Sequence, residues 1–412
     1  MSDLFDIAIV GGGMVGASLA VALEGQGLNI AMIESVPHDA AAQPSFDERT
    51  TALSNGSRRI LETIGIWPAV AAAATPIRKI HVSDQGRFGF ARVDAAEQGL
   101  AAMGYVLPNR ALGSALWSRL SRSASVQIFC PAEVARVVAT DAVVELTLGG
   151  PESAAAAGET TLRARLVVAA DGAQSAVRAA FGVGAEVHDY AQTAVITTVL
   201  PQRFHEYVAY ERFTASGPLA LLPLTDGRCT LVLTLAPEHA RAAMAWSDEE
   251  FIAELQRRFG FRLGRFLKIG RRVPYPLSLT RSQRTSAGRC VIVGNAAQGL
   301  HPVAGMGFNL GLRDVACLAE LAAEQHGDAV DLGQGRMLAE YDAWRAADRG
   351  GIIAFTDGLV RIFSSPLGAV RRLRNLGLLA FDLSPTAKRA LSRLSTGASG
   401  RIPKLARGVA LG

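Results

Sequence analysis

A phosphate-binding turn is the clearest chemical feature of this sequence. Gly11, Gly13 and Gly16 follow the apolar run 7–10 at the spacing G-x-G-x-x-G. In a strand–turn–helix unit the first glycine permits a tight turn, the second lets a pyrophosphate approach the backbone, and the third lets the helix pack on the strand. The helix predicted over 17–24 directs its N–H groups and dipole at the phosphates. The alternative is a purely structural turn.

A carboxylate follows at the position that such a unit requires. A second apolar run, 29–33, ends at Glu34. In dinucleotide-binding units an acidic residue roughly 20 positions after the first glycine binds the ribose hydroxyls. Strand, glycines, helix, strand and acid therefore predict a bound dinucleotide, against the alternative that Glu34 is a solvated strand end.

Length and composition limit the class of protein. The chain has 412 residues, of which 49% are hydrophobic and 19% charged, as expected for a globular chain of two or three domains. No apolar run approaches the roughly 20 residues of a membrane-spanning helix. An acidic N-terminus enters the first strand at once, which predicts a cytoplasmic protein without a signal peptide. Widely spaced cysteines and histidines predict reduced thiols and no metal site.

Positive charge is concentrated at the C-terminus. The net charge is +5, yet residues 361–412 hold ten basic side chains and a single acid, Asp382. The segment 359–394 mixes leucines with Arg371, Arg372 and Arg374. Such a basic amphipathic segment predicts docking on an anionic membrane or a partner protein, and we expect no nucleic-acid partner. The alternative is a helix packed on the protein with solvated arginines.

The order of the predicted elements gives the fold class as α/β. The glycine turn, the apolar run 166–170 before Asp171-Gly172, and the apolar run 290–293 have the texture of a parallel sheet. Residues 77–95 and the stretch 190–275 alternate like antiparallel strands. We therefore predict a discontinuous Rossmann-like domain (1–76, 96–182 and 276–335), an inserted mixed or antiparallel β-sheet substrate domain (77–95 and 183–275), and a C-terminal helical segment with a basic tail (336–412).

Three stretches together carry a family resemblance. They are the glycine triplet, Asp171-Gly172, and the block from Gly294 to Asp314 that reads GNAAQGLHPVAGMGFNLGLRD. The chain resembles, over nearly its whole length, the single-component FAD-dependent aromatic hydroxylases (group A flavin monooxygenases), in particular their ubiquinone-biosynthesis branch. Residues 81–84 and 211–220 resemble the members of that branch that act on 2-octaprenyl-6-methoxyphenol.

The resemblance implies a para-hydroxybenzoate hydroxylase-like fold and a flavin mechanism. FAD is reduced by NAD(P)H, takes up O2 at C4a, and the distal oxygen of the flavin hydroperoxide is transferred to an electron-rich ring. The implied substrate is a polyprenylated phenol, 2-polyprenyl-6-methoxyphenol, hydroxylated in ubiquinone biosynthesis, at the inner face of the membrane or in a ubiquinone-synthesis complex. Two alternatives are another flavin monooxygenase or halogenase acting on a soluble aromatic, and a non-redox prenyl-binding carrier on the same fold.

The resemblance also assigns the site residues. Glycines 305 and 307 allow close approach to the flavin ring, while Asn309 either caps the following helix, predicted over 309–324, or bonds the pyrimidine edge. No acid–base residue is assigned, and His301 is the one candidate near the flavin block, against a plain loop histidine. The implied cofactor-binding residues are Gly11, Gly13, Val15, Gly16, Glu34, Arg49, Arg110, Val134, Asp171, Asn295, Gly305, Gly307 and Asn309.

The chain differs from the family pattern at two positions, and one of its strands predicts part of the substrate pocket. The family has Asp where this chain has Asn295, whose amide oxygen still accepts a hydrogen bond, and its branch has Gln where this chain has Met306. Because the reactive flavin adduct decays in water, the site needs a dry pocket. An apolar strand predicts one wall of that pocket, with ordinary sheet core as the alternative, through Pro218, Leu219, Leu221 and Pro223.

Overall fold

The structure is a computed structural model of the chain. It describes residues 4–364 and 401–412 except for 41–42, 44, 47–48, 88, 150–159, 301–304, 329 and 334, and between 365 and 400 it describes Gly377, Asp382, Ser384, Thr386 and Lys388.

Twenty strands are present in the described residues. In chain order they are β1 (Leu4–Val10), β2 (Ile30–Ile33), β3 (Thr50–Ser54), β4 (Thr75–Ile77), β5 (Lys79–Asp84), β6 (Phe90–Asp94), β7 (Gly104–Pro108), β8 (Val126–Phe129), β9 (Glu133–Ala139), β10 (Val144–Gly149), β11 (Thr160–Ala169), β12 (Ala185–Pro201), β13 (Val208–Thr214), β14 (Gly217–Pro223), β15 (Cys229–Leu235), β16 (Phe266–Ile269), β17 (Val273–Ser282), β18 (Ser286–Ala287), β19 (Cys290–Ile292) and β20 (Gln298–Gly299).

The helices of the same residues fall between and after these strands. They are α1 (Met14–Leu23), α2 (Asn55–Thr63), α3 (Trp67–Val70), α4 (Asn109–Leu120), α5 (Ala176–Ala180), α6 (Pro237–Ala245), α7 (Asp248–Phe259), α8 (Met306–Gly327), α9 (Gly335–Ser364) and α10 (Lys404–Arg407). Short 3-10 turns lie at Ala71–Ala73, Ala96–Gln98 and Gly294–Ala296. No helix in the described part of the chain is long and apolar enough to cross a membrane.

The predicted parallel sheet is confirmed. Its main path runs β18-β19-β11-β1-β2-β8, and β1 pairs in parallel with both β2 and β11. Ile7 and Ile9 point to one face, where they pack with α1, α4 and α8, while Ala8 and Val10 pack on the other face with the β9–β10 hairpin and α5. A strand covered on both faces needs the continuous apolar run that the sequence shows.

A second, nine-stranded sheet follows the path β20-β17-β12-β15-β14-β13-β5-β6, with β16 also paired to β12. All of its strand pairs are antiparallel except the pair of β5 with β13, which is parallel, so the sheet is mixed. The antiparallel strands predicted in 77–95 are confirmed as β5 and β6, which form an edge of this sheet. Helices α6 and α7 cover one face of the sheet around Leu219, Leu221 and Phe251.

Some elements differ from the prediction. A third sheet, β3-β7-β4, was not predicted, because its strands are short and pair only with strands that lie 27 to 58 positions away in the chain. Helix α8 begins at Met306 and not at 309, since Gly305 adopts a left-handed conformation and ends the preceding loop. The nine-stranded sheet continues through β17 to Ser282, past the predicted return to the first domain at 276. The division into domains stays a prediction.

Candidate active site

The ends of β1, β2 and β11 meet at one edge of the parallel sheet and border a cavity of about 530 Å³. The carboxyl edge of such a sheet is where α/β proteins bind ligands. Seven of the predicted cofactor residues line this cavity, although they come from separate parts of the chain: Gly11, Gly13, Val15, Glu34, Val134, Asp171 and Asn295.

The glycine loop is shaped by close backbone contacts. Gly11 has φ +106°, and a Cβ on it would lie 2.4 Å from the carbonyl oxygen of Ala170. A Cβ on Gly16 would lie 1.9 Å from the carbonyl oxygen of Gly11, so α1 packs directly on the turn. Helix α1 has Gly13 as its N-cap and no side-chain cap. Its first N–H groups are therefore left for a ligand, which fits the pyrophosphate of a dinucleotide.

Glu34 is held at the same edge. Its side chain is 9% exposed, which makes the alternative of a solvated strand end wrong. One carboxylate oxygen accepts the Gly12 N–H at 2.6 Å and the other accepts the Val36 N–H at 2.9 Å. The Trp117 indole N–H donates to the Gly12 carbonyl, which fixes the loop from its other side. Each carboxylate oxygen keeps a second lone pair that a ribose hydroxyl fits.

Asp171 anchors a turn as well as bordering the cavity. Its carboxylate accepts the Ser175 hydroxyl and the Val177 N–H, which holds the start of α5, while Gly172 has φ +90°. Asn295 is exposed and lines the cavity opposite, so its amide is open to the ligand. Within this geometry Asp171 orients the loop, and its assignment to FAD or NAD(P)H contact stays a proposal.

The predicted flavin block starts α8. Gly305 has φ +59° and is the N-cap without any side-chain cap, and a Cβ on Gly307 would meet open space. Both features fit close approach of a flat ring to the backbone. His301 lies outside the described residues.

Asn309 takes neither of its two predicted roles. Its side-chain oxygen accepts the Ser54 N–H at 2.7 Å, and its NH2 group donates to the carbonyls of Ala52 and Gly305, each at 2.7 Å. The amide is 2% exposed. It therefore joins β3 to the loop before α8, and this bond across 255 positions is invisible in the sequence.

The two predicted arginines, Arg49 and Arg110, are not among the described residues that border the cavity. The Arg49 guanidinium stacks 4.5 Å from the ring centroid of Tyr275, which joins the segment before β3 to β17. Arg110 is exposed on the first turn of α4. Their assignment to cofactor contacts stays a proposal.

The predicted pocket wall is turned the other way. Leu219 and Leu221 are 0% exposed and pack under α6 and α7, and Pro223 shares their face by the alternation of the strand. The prediction that these leucines line a substrate pocket is therefore wrong, and ordinary sheet core is the correct interpretation for them. Ala220 and Leu222, with buried Pro218, occupy the opposite face.

That opposite face meets the flavin domain. Leu222 lies across from Thr230, and the Thr230 hydroxyl accepts a hydrogen bond from Thr50 of β3 at 3.0 Å. Leu222 also packs in the cluster that contains Ala52, and a Cβ on Gly305 would lie 3.0 Å from the Ala52 Cβ. The loop at Gly305, Ala52 and this face of the nine-stranded sheet are therefore consecutive layers.

A buried ionic cluster supports the flavin block and was not predicted. Asp314, 0% exposed, accepts the Gly294 N–H at 3.1 Å, the Gln298 side chain at 2.7 Å and the Arg345 guanidinium at 2.7 Å. Burial lowers the pKa of Arg345, but the charges of Asp314 and Asp348 outweigh that effect and raise it, so the guanidinium stays charged. The only sequence signal is the position of Asp314 at the end of the glycine-rich block.

Comparison with known proteins agrees with this geometry. A family described as an FAD binding domain matches residues 5–352. The chain is 39% identical to a ubiquinone hydroxylase, UbiL, of Rhodospirillum rubrum, over 98% of this chain and 93% of the relative. It is 33% identical to the 3-demethoxyubiquinol 3-hydroxylase of Escherichia coli, over 95% and 98%. The crystal structure of p-nitrophenol 4-monooxygenase from Pseudomonas putida has a similar fold, with a TM-score of 0.78 at 20% identity over 96% of this chain and 100% of that chain.

Proposed function

The chain belongs to the FAD-binding flavin hydroxylases of ubiquinone biosynthesis, and on that premise we propose that it hydroxylates the ring of 2-polyprenyl-6-methoxyphenol. The observation that carries the proposal is the likeness to ubiquinone hydroxylases along nearly the entire chain. As an FAD-dependent monooxygenase the protein is an enzyme, so the alternative of a non-redox prenyl carrier is wrong. A second candidate substrate is a demethoxyubiquinol, which the name of the Escherichia coli relative favours.

The chain's own residues would hold FAD along the cavity edge. We assign the pyrophosphate to Gly13 and the start of α1, the adenosine ribose to Glu34, and the flavin ring to the Gly305–Gly307 backbone. Bound flavin supplies the activation of O2, with NAD(P)H as the proposed electron donor. The protein contributes position and exclusion of water, because Ala52, which lies against Gly305, and Leu222, which packs in the same cluster as Ala52, are both apolar.

The carboxylate of Glu211 lies on this apolar face. Glu211 lies across from Ala220 on β14 and from Val82 on β5, and the row continues through Val232 to Ile196. Its side chain has no hydrogen-bond or ion-pair partner among the described residues, and burial raises its pKa to about 8. Asp84, two positions along β5 on the same face, pairs with Arg87. We assign Glu211 to the phenolic hydroxyl, whose proton it would accept as the ring is attacked.

The first test is product formation. Purified protein is given NADH or NADPH, O2 and either 2-polyprenyl-6-methoxyphenol or a demethoxyubiquinol, and the products are identified by mass spectrometry with labelled O2. We expect the methoxyphenol to gain one hydroxyl group on its ring, with its oxygen atom from the labelled O2. A methoxyphenol without a prenyl chain is the matched control. If only hydrogen peroxide forms, or the unprenylated phenol is hydroxylated equally well, the proposal fails in favour of a soluble aromatic substrate.

The pH dependence of turnover tests Glu211. An acceptor must be ionised, so we expect the wild-type rate to rise with pH through about 8. Glu211→Gln should lower kcat by about 100-fold or more and flatten that rise, since general base catalysis typically contributes 10²–10⁴-fold. The Glu211 carboxyl has a higher pKa in the folded state than in the unfolded state, so it destabilises the folded protein once the pH rises above its pKa in the unfolded state. Glu211→Gln should therefore be more stable than the wild type at pH 9.

The control for this experiment is Glu238→Gln, an exposed carboxyl on α6 that should leave both profiles unchanged. Wild-type kcat and an unaltered rise with pH in Glu211→Gln would show that the carboxylate takes no proton.

Peripheral membrane contact is a further part of the proposal, since a polyprenyl phenol resides in the bilayer. The predicted tail surface is only partly described. Arg401 pairs with Glu340 at 2.7 Å and Lys404 with Glu324 at 2.8 Å, and α10 packs on α2 and α8, so this end of the tail is not a free basic surface. Arg371, Arg372 and Arg374 lie outside the described residues. The proposal that the tail docks on a membrane is tested through these three arginines in the vesicle experiment below.

A further inference from the structure

A second basic and apolar surface lies on the nine-stranded sheet, far from the tail in sequence. Three exposed large hydrophobic residues lie on neighbouring backbone segments there: Phe204 is 45% exposed, Phe261 67% and Leu267 53%. The remaining exposed large hydrophobics of the described chain are valines at scattered positions. Single exposed hydrophobics are ordinary, but a local group of large ones marks an interaction surface.

The three residues belong to two backbone stretches, 202–204 and 261–268, that run side by side. The Arg203 N–H donates to the Leu263 carbonyl at 3.0 Å, and the Gln202 N–H donates to the Arg265 carbonyl at 2.7 Å. Strand β16 then pairs with β12 beside it, with Leu200 opposite Lys268. Phe204 and the segment 261–268 therefore lie next to each other, and we call them the tip surface.

The tip surface is positively charged around its segment 261–268. Residues 260–272 contain Arg262, Arg265, Lys268, Arg271 and Arg272 and no acidic residue. The first three are exposed and have no ion-pair partner among the described residues, whereas Arg272 pairs with Asp248. Buried Phe266 and exposed Leu267 alternate along β16, so the hydrophobic side chains and cations emerge from the same strand and turn.

We infer that the tip surface docks on an anionic lipid bilayer. Large apolar side chains match the acyl boundary of such a bilayer, and exposed cations without an ion-pair partner in the described chain match its negative headgroups. Each Lys or Arg near the surface strengthens binding about fivefold. The inference extends the proposed function, whose substrate carries a polyprenyl chain, by naming where the enzyme meets the membrane. It needs no turnover to be tested, so its failure is separable from failure of the substrate assignment.

The experiment is co-sedimentation of the flavin-loaded protein with vesicles of phosphatidylglycerol and phosphatidylcholine, and with vesicles of phosphatidylcholine alone. We expect binding to the anionic vesicles that weakens between about 0.1 and about 1 M salt, where the Debye length falls from about 10 Å to about 3 Å. The triple variant Arg262→Glu, Arg265→Glu, Lys268→Glu should bind on the order of 100-fold more weakly, as loss of three surface cations implies. Phe261→Ser with Leu267→Ser should weaken binding on the order of 10-fold or more.

Matched controls separate the tip surface from net charge and hydrophobicity. Arg59→Glu, Arg136→Glu and Arg241→Glu make the same change of charge at exposed sites elsewhere, and Val138→Ser with Val187→Ser removes exposed apolar groups. Both should bind like the wild type. The tail variant Arg371→Glu, Arg372→Glu, Arg374→Glu is the third comparison.

Each contrary result overturns the inference. If the wild type ignores anionic vesicles at low salt, the tip surface does not dock on lipid and a protein partner must deliver the substrate. If only the tail variant loses binding, the tail is the docking surface. Retained flavin and an unchanged melting temperature in each variant show that the exposed substitutions have not unfolded the protein.

Discussion

Gly16→Ala should yield a protein without bound FAD. Its new Cβ would lie 1.9 Å from the Gly11 carbonyl oxygen and 3.2 Å from the Ile9 side chain. The first neighbour is backbone in the turn itself, so no side-chain rotation relieves the clash, and α1 must move off β1. Because α1 presents its N–H groups to the pyrophosphate, that movement removes the binding site as well as core packing.

The measurement is the ratio of flavin to protein, from absorbance near 450 nm, together with the melting temperature. Gly350→Ala is the matched control: its Cβ meets open space inside α9, so it should retain FAD and gain slightly in stability. Stoichiometric FAD in Gly16→Ala would mean that the turn adapts, against this prediction.

Gly13→Ala separates the protein's own packing from the cofactor. Its Cβ would lie 2.8 Å from the Ser45 hydroxyl, the end of a side chain that can rotate away. We therefore expect the apo-protein to keep its stability while FAD is lost, because the methyl group occupies the approach of the pyrophosphate. Adding Ser45→Ala should not restore FAD. If it does, Ser45 and not the cofactor was the obstacle.

The second large effect is expected at Asp314. Asp314→Ala takes one of the two carboxylates away from Arg345, which stays buried beside Arg313, while Asp348 still pairs with both arginines. It also removes the acceptor for the Gly294 N–H and the Gln298 side chain. Breaking a buried ion pair from one side typically costs about 3–5 kcal/mol. That is a large part of the roughly 5–15 kcal/mol that stabilises a typical domain. We expect this loss in urea unfolding, accompanied by weaker FAD binding.

Two further variants identify the source of the loss. Asp314→Leu with Arg345→Met removes both charges and should recover part of the stability, but not FAD affinity, since the Gly294 loop stays without its anchor. Glu62→Gln, at the exposed pair with Arg58, should change stability by about 0.5 kcal/mol or less. If Asp314→Ala is as mild as Glu62→Gln, the cluster does not support the site.

The sequence by itself determined the phosphate-binding unit. Gly11, Gly16 and Glu34 were identified correctly as parts of one strand–turn–helix–strand unit because its constraints are local: a glycine needed where φ is positive, a glycine needed where backbones touch, and an apolar run buried on both faces. Helix α7 begins at a capping box of Ser247 and Glu250, another signal that lies within the segment itself. The family resemblance rests on such local motifs.

Tertiary structure decided what each surface faces. Alternation along β14 gives two faces, but only the packing of α6 and α7 shows that Leu219 and Leu221 belong to the core and that Ala220 and Leu222 meet the flavin domain. The same applies to Glu211, whose place in an apolar row follows from strands paired across the sheet. Two of the partners of Asn309 lie in β3, about 255 positions away, and those of Asp314 come from the stretch 294–298 and from Arg345. Sequence periodicity reports which residues share a face, whereas the partner of that face depends on contacts that only the folded chain brings together.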